Sequence, residues 1–295
     1  MSTEVTSTKL RDELVEYVKF LQEIGSEEIA QFDCEKLLKI KITEVQNKPK
    51  QSQMEPHEEL AANKNESESA DAKMDQVKIE TKPTKQPKSV QIKTEVYQPK
   101  HNLAEVLTLE QLENIVQNDL ECPLKMFANK TVFSDGIPTA KVMLIGEAPG
   151  EDEDTQGKPF VGRSGQLLDK ALISVGLSRR TNVYITNTVF WRPPGNRKPT
   201  DEELEICKPY LERHISLVNP DILVLVGGIA CQSILKTTDG ITKLKSSDIK
   251  YINPFNQKEI PTFAIFHPSY LLRSPGKKKD VYLDLLKIRS VTKSV

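Results

Sequence analysis

Features that would assign a chain to a class at once are scarce in this sequence. Its 295 residues include four cysteines, Cys34, Cys122, Cys207 and Cys231, and no two of them form a C-x-x-C pair. Such sparse cysteine argues against a disulfide framework and indicates a reducing compartment. No apolar run approaches the ~20 residues that span a bilayer, and the first residues lack the pattern of a secretory signal. We therefore expect a cytoplasmic protein that does not enter a membrane.

Excess charge of either sign is also missing. The chain carries 41 Lys and Arg residues against 42 Asp and Glu residues, a net charge of -1. Overall charge thus gives no sign of a nucleic-acid partner, and a DNA-binding face must come from local clustering of basic side chains.

The first hundred residues differ in composition from the rest of the chain. Leu10, Leu14, Val18 and Leu21 recur at helical spacing, which predicts a helix that either packs on the domain or binds a protein partner. Between residues 42 and 103, polar residues and proline dominate, which is typical of a disordered tether; a basic DNA-gripping arm is disfavoured because both charge signs mix. We divide the chain into an N-terminal helical segment (1–41), a disordered linker (42–103) and a domain (104–295).

The domain alternates short apolar strands with helices. Strands are predicted at 142–145, 183–186, 222–226 and 261–266, and helices at 109–116, 165–175, 201–217, 230–235 and 280–290, the first capped by Thr108. Nearly continuous apolar strands indicate a parallel sheet covered on both faces. The sequence therefore predicts a three-layer α/β/α fold with a central, mostly parallel four-stranded sheet.

Polar motifs follow three of these strands. They are GEAPGEDED (146–154), Asn187, and HPSYLLR (267–273) followed by three lysines. Open α/β sheets bind ligands beyond the carboxyl ends of their strands, so we expect the three motifs to share one cleft. The first motif lacks a nucleotide-binding fingerprint or a P-loop lysine and, alone, is equally typical of an acidic surface loop.

The residue types in these motifs suit a nucleobase. Phe160, in GKPFVGRSGQLL (157–168), could stack on a base, although a core role is the more common one for phenylalanine. Asn187 could read a base edge with its amide, and Arg192 and Arg197 could meet phosphates. Proteins that unstack bases insert apolar side chains flanked by cations, and the residues after His267 have this combination.

Taken together and in this order, GEAPGEDED, GKPFVGRSGQLL, TN, RPPGNRKP and HPSYLLR resemble the signature motifs of family 4 uracil-DNA glycosylases, over residues 118–290. The resemblance implies excision of uracil from DNA by base flipping. It implies that Glu147 and Ala148 place the hydrolytic water, that Glu153 blocks the thymine methyl group, and that His267 stabilises the leaving uracil. It also implies that Phe160, Asn187 and Asn196 bind the base, and that Leu271, Leu272 and Arg273 form a DNA-wedging loop.

The resemblance fails at the family's 4Fe–4S cluster. Its four cysteine positions here hold Asp119, Cys122, Trp191 and Cys207. Tryptophan cannot ligate iron, so we predict no metal and no other cofactor. Trp191 either fills the space of the cluster with apolar surface, so that the enzyme survives, or marks a decaying enzyme with weak DNA affinity; the intact pocket motifs favour activity.

The leading hypothesis is a monomeric DNA-repair glycosylase that acts in base excision repair and leaves an abasic site. The alternative is a non-catalytic nucleic-acid-binding or adaptor protein that uses its N-terminal helix to recruit a partner. A relative that links covalently to uracil-DNA is disfavoured, because the basic loop that such relatives carry is missing between Ala230 and Pro268.

Overall fold

The computed structural model describes residues 97–292. The predicted N-terminal helix, and all but the last residues of the predicted linker, lie outside this range. Within it, Tyr97 and Leu103 already contact the domain: Leu103 is buried, and the Tyr97 hydroxyl lies 3.3 Å from the Tyr210 hydroxyl.

A six-stranded sheet forms the centre of the fold. Its strands are β1 (Asp135–Gly136), β2 (Val142–Gly146), β3 (Val183–Asn187), β4 (Ile222–Val226), β5 (Ile249–Ile252) and β6 (Glu259–Ile265), in the spatial order β1-β3-β2-β4-β6-β5. The four predicted strands form the parallel centre. The sequence analysis missed β1 and β5, which pair antiparallel at the two edges.

Helices cover both faces of the sheet. They are α1 (Leu109–Asn118), α2 (Glu151–Gln156), α3 (Arg163–Ser174), α4 (Asp201–Val218), α5 (Gly228–Leu235), α6 (Ile241–Lys245), α7 (Pro268–Arg273) and α8 (Lys278–Thr292). Thr108 caps α1 through a reciprocal capping box, as predicted. No helix within residues 97–292 is long and apolar enough to cross a membrane.

The hydrophobic core follows from the alternation of side chains along the strands. Val142 and Leu144 face α3 and α8, whereas Met143 and Ile145 face α4 and α5. These packed faces confirm the three-layer α/β/α prediction. A third cluster, built on Trp191, lies between α1 and α4.

Candidate active site

The cleft lies at the carboxyl ends of the parallel strands, where Gly146 pairs with Asn187 across β2 and β3. A Cβ atom on Gly146 would lie 2.4 Å from Asn187 Oδ1 and 2.5 Å from the Phe160 ring. Only glycine therefore lets these two side chains meet at this point. The Phe160 ring lies 5.8 Å from the His267 ring, centroid to centroid. The expected convergence of the strand-end motifs is confirmed.

Tight backbone packing fixes the position of Phe160. Its φ is +53°, a left-handed conformation that is uncommon for an aromatic residue and costs roughly 1–3 kcal/mol. A Cβ atom on Gly165 would lie 1.9 Å from the Phe160 carbonyl oxygen, so the first turn of α3 needs glycine at this contact. Arg179 donates to the carbonyl oxygens of Pro159 and Phe160, each at 2.7 Å. These contacts stabilise the strained backbone conformation of Phe160. The sequence analysis missed Arg179 because this residue lies in a turn outside every motif.

The Glu153 carboxylate is committed to the backbone of the same loop. Oε1 accepts from the N–H groups of Val161 and Gly162 at 2.8 and 2.9 Å, and Oε2 accepts from Gly150 at 3.1 Å. Glu153 therefore connects the GEAPG turn to the Phe160 loop. These contacts make Glu153 a positioning residue for both loops. Its role in blocking the thymine methyl group, expected from the resemblance, stays a prediction.

Asn187 presents an amide without a partner. The residue is 1% exposed, and its Nδ2 atom makes no hydrogen bond within the described part of the chain. Leaving such a buried donor unsatisfied costs about 1–3 kcal/mol. Buried polar groups of this kind call for a specific explanation, and a base edge is a ligand that would satisfy it.

The GEAP turn lies beside Asn187. The Thr188 hydroxyl donates to the Glu147 carbonyl oxygen, which holds the turn against β3. Burial raises the pKa of the Glu147 carboxyl, and the nearby Lys198 charge offsets part of that rise. Ala148 is half-buried and packs against the third hydrophobic cluster.

His267 is the N-cap of α7, and its contacts determine its tautomer. Ser269 N–H lies 3.2 Å from His267 Nδ1 and donates to it. Because a backbone N–H can only donate, Nδ1 must carry a lone pair, and the neutral ring therefore carries its proton on Nε2. Burial, and then the Arg273 charge, lower the pKa of His267 to about 4. At neutral pH this side chain is an uncharged Nε2–H donor.

The loop that follows the RPP motif is tied down by ion pairs. Arg192 Nε donates to Asn196 Oδ1 at 2.7 Å, and its Nη2 lies 3.5 Å from Glu151. Arg197 forms a bidentate pair with Glu203 at 2.6 and 2.8 Å. Both arginines were predicted to meet phosphates, but in this structure their guanidinium groups already have carboxylate partners. Asn196 lies on the exposed loop, held by Arg192.

Comparison with known proteins assigns this arrangement to a family. The model of the uracil DNA glycosylase superfamily matches residues 133–287. The chain is 39% identical over 196 residues to a type-4 uracil-DNA glycosylase of Thermotoga maritima, covering 63% of this chain and 97% of the relative. It is 36% identical over 188 residues to the type-4 enzyme of Sulfurisphaera tokodaii, covering 62% of this chain and 84% of the relative. The chain belongs to the uracil-DNA glycosylase superfamily.

Of the three residues predicted to form the DNA-wedging loop, two are exposed to solvent and one is buried. Leu272 is 40% exposed and Arg273 is exposed, as a DNA contact requires. Leu271 is 2% exposed and packs in the core beneath α7. Contact of Leu271 with DNA stays a prediction, and insertion between bases would require Leu271 to leave that core.

Three of the four positions that the resemblance matches to cluster ligands lie in an apolar core here. Trp191 is 1% exposed and donates from Nε1 to Thr131 Oγ1 at 3.0 Å. Cys122 and Cys207 are buried in the same hydrophobic cluster as free thiols. Asp119 lies outside this core, 44% exposed, with Oδ2 3.2 Å from His101 Nε2. Within residues 97–292 no three metal-binding side chains converge, so the residues present do not fit a four-ligand cluster.

Proposed function

We propose that this glycosylase hydrolyses the N-glycosidic bond of deoxyuridine in DNA, releases uracil and leaves an abasic site. The observation that carries the proposal is the unsatisfied Asn187 amide beside the Phe160 ring and the neutral His267 donor. A flipped base needs a stacking surface, a partner for its polar edge and a donor at the leaving atom, and these three side chains supply them.

Asn187 gives the pocket its preference for uracil. Uracil presents an acceptor at O4 and a donor at N3, and one carboxamide satisfies both. Cytosine presents the opposite pattern, so both pairs of groups would be left unsatisfied at about 1–3 kcal/mol each. Phe160 supports the base from one face, held in place by Glu153 and Arg179.

His267 stabilises the leaving base. Cleavage of the sugar–base bond places negative charge on the uracil ring, and an Nε2–H aimed at O2 meets that charge as it develops. The hydrogen bond from Ser269 N–H to Nδ1 keeps the proton on Nε2. The low pKa of His267 keeps the ring neutral, so it acts as a hydrogen-bond donor at neutral pH.

Water is the nucleophile, and the GEAP turn places it. Ala148 offers no carboxylate, so the chemistry is mostly dissociative, with water attacking a sugar that has already lost most of its bond to uracil. The Glu147 carboxyl belongs to this turn, and burial raises its pKa, so it keeps its proton to a higher pH than an exposed glutamate does. Glu153 orients the turn through Gly150.

DNA-facing groups surround the cleft. Four exposed residues follow His267 in the chain: Leu272, Arg273, Lys277 and Lys279. They form a basic surface with an apolar tip that enters the DNA duplex. The protein acts as a monomer on this substrate. The helical spacing of Leu10, Leu14 and Val18 supports a role of the N-terminal segment in binding a protein partner. The free buried thiols suit the reducing cytoplasm.

We propose further that the enzyme needs no 4Fe–4S cluster. Trp191 occupies core volume, and its burial replaces the cross-links that metal ligands would provide; an aromatic of this size buries ~150–250 Å². Iron content of the purified protein, measured with its absorbance near 400 nm, tests this proposal. A stoichiometric iron content would overturn it.

A labelled oligonucleotide with a single uracil, incubated with protein and then treated with alkali, tests the glycosylase activity. The expected result is a strand break at the uracil with the wild type and a strongly reduced rate with His267→Ala. No break with wild type, under conditions where another uracil-DNA glycosylase cleaves, would favour the non-catalytic alternative.

A further inference from the structure

A lysine that belongs to none of the sequence motifs lies against the residue that precedes His267. Lys245 is the last residue of α6, and its Nζ atom lies 3.9 Å from the centroid of the Phe266 ring. Phe266 is 9% exposed and directly precedes His267 in the chain. An ammonium group over an aromatic face is attracted by the ring, and more strongly where water is excluded. The Lys245 side chain is 10% exposed, so this contact is largely shielded from water.

An ion pair with α8 holds the same ammonium group. The Lys245 Nζ atom lies 2.7 Å from Asp284 Oδ2, and the Asp284 side chain is itself mostly buried. Burial raises the pKa of the Asp284 carboxyl, and the neighbouring Lys245 ammonium offsets part of that rise. Two partners, a carboxylate and an aromatic face, therefore fix the position of one amine.

Both helices that carry this ion pair are anchored in the hydrophobic core. Leu244, next to Lys245, is buried in the cluster on the α4 and α5 face of the sheet, and Ile241 packs against the clusters on both faces. Leu285, next to Asp284, is buried in the cluster on the α3 and α8 face. Lys245 thus connects two fixed helices to the segment that follows β6.

The Phe266 ring passes this connection to the catalytic segment. It contacts the Tyr270 ring of α7, 5.2 Å between centroids, and His267 lies between these two aromatic residues in the chain. Phe266 and His267 share a planar peptide unit, so a shift of Phe266 displaces the backbone of His267. Such a displacement would change the direction of the His267 Nε2–H group.

We propose that Lys245 is a positioning residue for His267 and that it acts through the Phe266 ring to keep Nε2–H directed at the leaving base. The proposal rests on the glycosylase function, because the direction of this donor matters only when a base leaves. The base gains its negative charge in the transition state, so loss of the contact should slow cleavage more than it weakens DNA binding. A misplacement of about 1 Å can lower a rate by about 100-fold.

The first test replaces Lys245 by methionine, which keeps an unbranched apolar side chain and removes the ammonium group. Single-turnover cleavage of a uracil oligonucleotide should slow by about 10–100-fold. The Kd for an oligonucleotide whose single 2′-fluoro-2′-deoxyuridine resists hydrolysis should change by less than about twofold. Lys245→Arg keeps a cation over the ring and should restore most of the rate. Lys243→Met is the matched control, because Lys243 is exposed in the same helix and pairs only with Asp239 among the described residues; it should cleave like the wild type.

A double variant separates positioning from stability. Lys245→Met leaves the Asp284 carboxylate without its ammonium partner and should lower the melting temperature. Combining Lys245→Met with Asp284→Asn removes both charges, so the melting temperature should return towards that of the wild type. Cleavage by this double variant should stay as slow as in Lys245→Met. Recovery of the rate together with the melting temperature would show that the ion pair only stabilises the fold, and would overturn the proposal.

A double-mutant cycle with His267→Ala tests whether the effect passes through His267. In the His267→Ala background, Lys245→Met should change the residual rate by less than about twofold, because the side chain that it positions is gone. Equal slowing in the wild-type and His267→Ala backgrounds would overturn the proposal.

The ring-nitrogen NMR resonances of the histidines give a readout that needs no cleavage. Lys245→Met should shift the His267 resonances, which are identified by their loss in His267→Ala, and leave those of the buried His214 unchanged. Absence of cleavage by the wild type with shifted His267 resonances would reject the glycosylase function and support the link from Lys245 to His267. Cleavage by the wild type, with neither the rate nor the His267 resonances changed in Lys245→Met, would reject the positioning role alone.

Discussion

Replacing Asn187 with alanine should remove activity and leave the fold intact, which is an unusual result for a residue with 1% exposure. Among residues 97–292 the buried Asn187 Nδ2 group has no hydrogen-bond partner, at a cost of about 1–3 kcal/mol that alanine would relieve. This gain offsets the lost packing of the side chain, so we expect the free energy of unfolding to change by less than about 1 kcal/mol. With uracil bound, two hydrogen bonds disappear and the polar edge of the base is left unsatisfied. That loss of about 3–4 kcal/mol corresponds to a 100–1000-fold fall in kcat/KM.

The assay pairs single-turnover cleavage of a uracil oligonucleotide with chemical denaturation of the same sample. Asn182 supplies the matched control, because it precedes β3 and its amide is satisfied by Ser178 and Gly176. Asn182→Ala should lose about 1–2 kcal/mol of stability and keep its activity. The reasoning is refuted if Asn187→Ala unfolds as readily as Asn182→Ala, or if it still discriminates uracil from cytosine.

Two further predictions concern buried residues, and a third concerns the exposed Leu272. Gly146→Ala should abolish cleavage because its Cβ would displace Asn187 and Phe160, whereas Gly228→Ala, with open space around its Cβ, should fold normally; cleavage rates of the two distinguish them. Burial lowers the pKa of His214 to about 3, so between pH 6.5 and 3 this side chain binds a proton only in the unfolded state. The free energy of unfolding should therefore be highest above pH 6.5 and fall as the pH drops, by about 2 kcal/mol at pH 5. Denaturant melts at a series of pH values measure this change. Leu272→Ala should slow cleavage of duplex more than of single-stranded DNA, because only the duplex requires a wedge, and equal slowing of both would contradict this.

The central sheet was predictable from the sequence because its strands are unbroken apolar runs. Val142 and Val224 point to one face of the sheet and Met143 to the other, and all three are buried, so apolar character alone marks these strands. The edge strands lack this signal: β1 has two residues, Asp135 and Gly136, and β5 alternates in burial along only four residues. Edge strands form through pairing with a neighbour that is distant in sequence, which local patterns do not encode.

The pocket was predictable in its members but not in their division of roles. The strand-end rule correctly placed Asn187, which ends β3, and His267, which follows β6, near the same Phe160 ring. The same rule does not predict that Glu153 accepts hydrogen bonds from three backbone N–H groups, or that Arg179 donates to the carbonyl oxygen of Phe160. These contacts depend on loop conformation, and no spacing rule relates Arg179 to a carbonyl oxygen nineteen residues earlier in the chain.

The buried Trp191 explains how the site can persist where the ligand positions of the family have changed. Trp191 directly precedes Arg192, whose guanidinium holds Asn196 and Glu151, so any displacement of the tryptophan would pass to the loop beside the cleft. The indole is fixed by Thr131 and by an edge-to-face contact with Phe190, 6.1 Å between centroids. Thr131 in turn is followed by Val132, which is bonded to the Phe190 carbonyl oxygen at 2.8 Å. These contacts fix the start of the RPP loop through packing and hydrogen bonds. A metal ligand at the same position would fix the loop in the same way, through its bond to the metal.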